Sequence, residues 1–437
     1  MTVSDSREHK RFVLDDATKA SMRLLGAHLF DALRAGSLDP IHGGVCRDTY
    51  GPGEQFAHNL LAQAARDLQL EVHQDHLCNT FMTWPGMDRT RPAVMLGSHL
   101  DSVPAGGNFD GAAGVVAGLA IVSALKRQGI RLNCDLIVMG IRAEESMWFG
   151  HSYVGSRGAL GMLDETALHK TRFDNGVTLS EHLRAAGGNP DAVAQRQASI
   201  DANAVAAFFE LHIEQAPSLA HQGHAVAVGT AIPGNVRYPQ VHIRGEYGHV
   251  GLPKRFRRDA AVAGARVLSR LDDLWLNHEA RGVPVAITVG EFHTDAARHG
   301  LTIVPGDFHF SLDLRAYDEA VLASLESSFL DLVHQVERDC GVKIELGSRA
   351  SASVALADQV LSDALRASAR DLGQVCSDLL SPASHDSAAF HQAGVPYGFV
   401  FVRNPNGSHH PDEAMDLDDW VIGTGILCHA IVQRWQA

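Results

Sequence analysis

Cysteine is scarce in this 437-residue chain, with six residues (Cys46, Cys78, Cys134, Cys340, Cys376 and Cys428) and no CxxC spacing. That scatter excludes a cysteine-based zinc site and suits a cytoplasmic protein with reduced thiols. Long apolar runs are missing too, and none reaches the length of a membrane span. Residues 1–12 are polar and charged, so no signal peptide is expected. Positive charge is also short: 37 Lys and Arg stand against 51 Asp and Glu, a net charge of −14. Nucleic-acid binding needs basic surface for the phosphates, so that class of partner is excluded, as is a membrane partner.

What is present is an ordinary globular composition, 45% hydrophobic. The length exceeds what a single core usually supports, so two domains are expected. Histidine, at 25 residues, is abundant for the length.

The chemistry concentrates between residues 95 and 145. Residues 92–97 are apolar and short, as in a buried strand, and polar residues follow at Ser98-His99-Leu100-Asp101. Residues 115–126 have the pattern of a core helix, and 134–141 read as a second buried strand ending at Arg142-Ala143-Glu144-Glu145. His99, Asp110 and Glu145 therefore lie at the ends of elements in one βαβ-like unit. Ligands bind at such strand ends in open α/β sheets. An imidazole and two carboxylates suit zinc, manganese or cobalt. Asp101, two residues after His99, is placed to hold the ring's other nitrogen. Glycines around Asp110 allow close backbone approach. Glu145 is a ligand candidate, and Glu144 beside it is left free as a base.

In chain order, helices are expected over 17–35 and 53–68, strand material over 70–84 and glycine- and serine-rich loops over 150–162. The apolar run 204–211 ends at His212, the most economical fourth ligand, with Gln215 offering an amide to substrate. The composition then changes. Strands over 238–244, 283–292 and 307–314 alternate with helices over 257–271 and 318–340, an order that resembles a ferredoxin-like α+β insert. Within it, His249 falls in a loop and Arg315 at a strand end. The α/β pattern resumes with a helix over 358–372, a helix opened by His385-Asp386, a buried strand over 395–402 and the pair His409-His410. The fold class is therefore α/β. A catalytic domain with a central mixed sheet (1–222 and 340–437) is interrupted by the insert (223–339).

Five separated motifs carry a family resemblance: GSHLDSVPAGGNFDG, AEE, ELHIEQ, GHVG with its downstream RRDA, and SHHPDE. Together they resemble the M20 family of metal-dependent amidohydrolases and peptidases, in its hydantoinase/carbamoylase branch. The resemblance implies two divalent metal ions (Zn2+, Mn2+ or Co2+), with His99 and His212 on separate metals, Asp110 bridging, and Glu145 and His409 completing the set. Glu144 becomes the general base and Asp101 its neighbour in the catalytic group. His249 stabilises the oxyanion across a homodimer formed through the insert, which serves as a dimerisation and lid domain. Gln215 and Arg315 bind substrate, the arginine by a forked contact to the substrate's carboxylate.

The chain departs from the branch at positions expected to face substrate. Trp148 stands close to where an arginine is usual, and Thr302 where an asparagine is usual. The implied activity is hydrolysis of an N-carbamoyl amino acid or related ureido acid to amino acid, CO2 and ammonia. The same chemistry on an N-acyl amino acid or dipeptide is the alternative, favoured by Trp148 and Thr302. A non-catalytic binding protein would lack the base or a ligand, and both glutamates are present.

Overall fold

A computed structural model describes residues 12–437, so residues 1–11 of the polar N-terminal stretch lie outside the described residues. The chain forms two compact units: residues up to Thr230 with Leu356–Ala437, and Ala231–Ala355 between them. The junctions expected at 222/223 and 339/340 shift downstream for a physical reason. After residue 222 the chain adds one more strand to the larger sheet, Val226–Ile232, antiparallel to Tyr397–Val402. After residue 340 it still pairs within the insert, where Lys343–Glu345 and Ala350–Ala352 both bond to Gly234–Arg244.

The larger unit holds a nine-stranded sheet. Its centre is four parallel strands in the spatial order Leu136–Ile141, Ala93–His99, Val205–Ile213 and Tyr397–Val402. Antiparallel neighbours flank them, Thr80–Trp84 on one side and Val226–Ile232 on the other, so the sheet is mixed. The parallel strands are apolar without alternation because helices cover both faces; every residue of Ala93–His99 and of Tyr397–Val402 is buried. Helices Asp16–Ser37, Ala112–Gln128 and Leu417–Trp435 pack together on one face. Gly26 leaves room there for Trp420, whose ring a Cβ would approach to 2.5 Å. The Trp420 indole donates to the Ala113 carbonyl and so ties the last helix to the start of Ala112–Gln128.

The insert is an antiparallel sheet with Gly234–Arg244 and Asp307–Ala316 at its centre. Val285–Thr288 and Phe292–Thr294 pair with the latter strand; the single strand expected over 283–292 is two, broken at Gly290. Asp307–Ala316 alternates strictly between buried and half-buried residues. One face packs on helices Ala260–Ala280 and Glu319–Cys340, with Ile243, Phe310, Leu314 and Phe329 in the core. The other face carries Arg315, Asp313 and His309. The order β-α-β-β-α-β is that of a ferredoxin-like unit. Gly248–His249, expected as loop, forms a two-residue ribbon with Ile303–Val304. The stretch 150–162, also expected as loop, contains the helix Val154–Ala159. Among the described residues no helix is long and apolar enough to cross a membrane.

Candidate metal centre

Each of the four parallel strands delivers a polar group at or just beyond its C-terminal end. His99 is the last residue of its strand and His212 the last but one of its own. Glu144 and Glu145 follow the strand that ends at Ile141, and Ser408 and His409 follow the one that ends at Val402. Asp110 comes from the loop entering Ala112–Gln128. Residues far apart in sequence converge because strand direction places these ends on one sheet edge.

Two groups of potential ligands share Asp110: His99, Asp110 and His212, and Asp110, Glu145 and His409, each with its atoms within 4.8 Å of one another. The hydrogen bonds assign the tautomers. His99 Nδ1 lies 3.0 Å from the Asp101 carbonyl and His212 Nδ1 lies 2.9 Å from the Ile213 carbonyl, so both protons sit on Nδ1. Both Nε2 lone pairs then face inward, 3.5 Å from each other. Asp110 Oδ1 lies 3.1 Å from His212 Nε2 and 3.5 Å from His99 Nε2, buried and without a hydrogen-bond donor. His212 Nε2 also accepts the Gly111 amide at 3.2 Å, and with three acceptor atoms this close the cluster calls for a shared positive charge, a proton or a metal ion. The donor set of nitrogen and carboxylate oxygen fits zinc, manganese or cobalt.

Electrostatics agree. Burial pulls the His99 ring down, but the Asp101 and Asp110 carboxylates more than offset it, and the ring is held well above the usual imidazole range. The Glu145 carboxylate pushes His409 up to about 9. His409 Nε2 lies 3.4 Å from Glu145 Oε1 and 3.5 Å from Asp110 Oδ2. His410 instead turns back onto the Asn406 carbonyl at 2.9 Å. Surroundings that favour a proton here also favour a divalent cation.

A third group, Glu210, His212 and His385, is also close enough to hold an ion. Its atoms are already engaged. Glu210 accepts from Ser98 Oγ at 2.7 Å and from the Ser387 hydroxyl and amide at 2.6 and 3.1 Å, and His385 Nε2 bonds Ser381 Oγ at 2.8 Å.

Glu144 is buried beside the first two groups. Burial raises its carboxyl well above the usual range, with Glu145 and Asp386 adding to the shift against His99. A cation held by Glu145 opposes that shift. Gln215 donates its amide to Asp110 Oδ2 at 3.0 Å. On the insert, Thr302 and His249 are brought together, since the Thr302 carbonyl accepts from the Val250 amide at 2.9 Å beside His249. The Arg315 fork is held by Asp313 at 3.0 and 3.2 Å.

Three expectations change. His99 and His212 do not fall to separate ions: both imidazoles converge with Asp110 on one position, and Glu145 and His409 meet Asp110 at the other. The Asp101 carboxylate does not cap the His99 ring: its backbone carbonyl does, and its Oδ1 stands 3.4 Å away. The carboxylate accepts instead from the Glu144 and Glu145 amides at 3.1 and 3.2 Å and from Thr49 Oγ1 at 2.6 Å. Trp148 does not face open space. It is 3% exposed, its indole donates to the Ser102 carbonyl at 2.8 Å, and Arg172 covers its ring at 4.4 Å. Trp148 therefore gives no support to a larger or less polar substrate group.

Ser408 and Glu413 lie inside the SHHPDE motif, and the sequence alone assigns them no role. The Ser408 hydroxyl reaches Asp110 Oδ2 at 2.6 Å, and Glu413 Oε1 accepts the Phe109 and Asp110 amides at 2.8 and 3.1 Å. They orient the shared carboxylate, as partners behind a metal ligand commonly do.

The match to peptidase family M20/M25/M40 spans residues 95–433. The chain is 31% identical over 394 residues to an N-carbamoyl-L-amino-acid amidohydrolase of Pseudomonas sp. (strain NS671), covering 90% of this chain and 93% of that protein. It is 29% identical over 381 residues to a ureidoglycolate hydrolase of Arabidopsis thaliana, covering 85% and 78%. A solved amidase of the hydantoinase/carbamoylase family from Burkholderia multivorans superposes with a TM-score of 0.83 at 28% identity, over 95% of this chain and 98% of that one. Strand ends, ligand geometry and relatives converge, and the chain belongs to the metal-dependent M20/M25/M40 family, in its hydantoinase/carbamoylase branch, as a hydrolase of carbon–nitrogen bonds in linear amides.

Proposed function

We propose that the chain hydrolyses the carbamoyl group of an N-carbamoyl amino acid or a related ureido acid, releasing the amino acid, CO2 and ammonia. The observation that carries this reading is the pair of ligand groups sharing Asp110, with Glu144 buried beside them. The relatives supply the substrate class, since both are named for a carbamoyl or ureido compound.

His99 and His212 would hold one divalent ion and Glu145 and His409 the other, with Asp110 reaching both. Ions so held lower the pKa of water and polarise a carbonyl. Glu144 takes a proton from the attacking water and returns it to the leaving nitrogen, which departs as the C–N bond breaks. The carbamate left behind decomposes to CO2 and ammonia. Gln215 orients the polar head of the substrate. Arg315 binds the substrate carboxylate in a forked contact, His249 stabilises the oxyanion, and Thr302 contributes to the same substrate surface. Self-association through the insert is part of this reading. It is supported by the exposed Val250, Phe256, Leu301 and Ile303 around the His249 ribbon.

The test is product release from enzyme loaded with zinc, manganese or cobalt. Ammonia is expected from N-carbamoyl amino acids and N-carbamoyl-β-alanine. Amine release from N-acetyl amino acids or dipeptides alone would overturn the substrate assignment.

A further inference from the structure

Glu54 has no part in the chemistry above, yet it is fully buried at the start of the helix Pro52–Asp67. Its Oε1 accepts the Ala143 amide at 3.0 Å. Its Oε2 accepts the Tyr50 amide at 2.6 Å and the Arg142 guanidinium at 2.9 Å. Arg142, also fully buried, is pinned by the Cys78 carbonyl at 2.8 Å and by Gln55 Oε1 at 2.7 Å.

These contacts converge on one turn. Ala143 has a φ of +55°, a left-handed conformation that costs a non-glycine residue about 1–3 kcal/mol and persists only where the surroundings impose it. The next two amides, of Glu144 and Glu145, are taken by Asp101. Three successive N–H groups thus end on two buried carboxylates, Glu54 and Asp101, from separate elements. The carbonyls of Arg142, Ala143 and Glu144 accept in turn from the Gly155, Val154 and Tyr153 amides at 2.9–3.0 Å. The turn is bonded from both sides, and Glu54 is among its anchors without being one of the reacting groups.

We propose that Glu54 is a positioning residue: by holding the Ala143 amide and Arg142, it fixes the left-handed turn that aims Glu144 and Glu145 in their different directions. The inference rests on the assignment of Glu144 as base and Glu145 as ligand. Glutamine is the informative replacement. Glu54→Gln keeps the shape but offers one acceptor oxygen where donors now occupy two, and its NH2 must face another donor.

The experiment titrates the metal-free protein with Zn2+ against a chromophoric chelator, and measures kcat and KM for an N-carbamoyl amino acid on the reloaded enzyme. E54Q is expected to weaken one of the two Zn2+ sites by about 10–100-fold and to lower kcat by a similar factor, the usual cost of losing such a partner. KM is expected to hold within about threefold, since the residue contributes nothing to ground-state substrate binding. Wild-type affinity at both sites with wild-type kcat overturns the proposal, even if the melting temperature falls. An equal loss at both sites also overturns it. If E54Q does not fold, Glu54→Asp keeps the charge beside Arg142 but withdraws from the Ala143 amide, and the same two outcomes decide. Because Zn2+ binding is read without turnover, failure of the Glu144 assignment, seen as an active Glu144→Gln enzyme, stays distinguishable from failure of this one.

Discussion

Replacing Gly111 by alanine drives a methyl group into the space of a candidate ligand. A Cβ at this position would lie 2.5 Å from the His99 carbonyl oxygen and 2.6 Å from two carbons of its ring. Ordinary carbon contacts are about 3.5–4.0 Å, so the imidazole must retreat by roughly 1 Å. It cannot do so freely, because Nδ1 is tied to the Asp101 carbonyl at 3.0 Å. The backbone adds a second cost. Gly111 has φ +66° and ψ −50°, close to the rare γ-turn geometry, which costs a side-chain-bearing residue about 1–3 kcal/mol. Overpacking adds about 1–3 kcal/mol, and the total of roughly 2–6 kcal/mol lies below the middle of the roughly 5–15 kcal/mol that holds a domain together, so the variant is expected to fold. Its melting temperature is expected to fall by about 5 °C or more, taking 2–4 °C per kcal/mol. A 1 Å displacement at a working group costs on the order of 100-fold, so Zn2+ affinity at the His99 position should fall on that scale. Chelator competition and thermal unfolding on the same preparation read both effects. Gly111→Ala with unchanged affinity and melting would refute the placement of His99 in the site.

Trp148→Phe removes the indole donor to the Ser102 carbonyl and is expected to cost about 1–3 kcal/mol of stability. The ratio of carbamoyl to acetyl hydrolysis should stay unchanged; a shifted ratio in a substrate panel would return Trp148 to the substrate surface. Stripping metal with a chelator should lower the melting temperature. Zn2+ at about 100 times its Kd should then restore roughly 2.7 kcal/mol. Calorimetry showing no difference between stripped and reloaded protein would deny the cluster its cation.

Much of the site is visible in sequence because the four central strands are short apolar runs that stop abruptly at polar residues. His99, Glu145 and His212 can therefore be placed on one edge from local pattern and strand direction, whereas the choice of His409 over His410 rests on the family resemblance. Asp101 shows where that stops. A spacing of two residues brings it near the His99 ring, but only the folded turn decides that the carbonyl, and not the carboxylate, meets Nδ1. Glu54 leaves no local signal, since its partner Ala143 lies 89 residues away. Val226–Ile232, with its small residues, carries no strand signal of its own and shifts the domain junction; what makes it a strand is pairing with Tyr397–Val402. Val154–Ala159 forms a helix against its glycine content, its first amides (Val154 and Gly155) and that of Tyr153 before it taken by the Arg142–Glu144 carbonyls.

The central claim is that Glu144 moves the proton beside a metal pair shared by Asp110. The most direct measurement is ammonia release from an N-carbamoyl amino acid by Glu144→Gln, with Zn2+ content and affinity determined on the same sample. The account predicts full metal loading and a kcat lowered by about 100- to 10,000-fold, the range such a base contributes. A fully loaded Glu144→Gln enzyme that releases ammonia at the wild-type rate would contradict it.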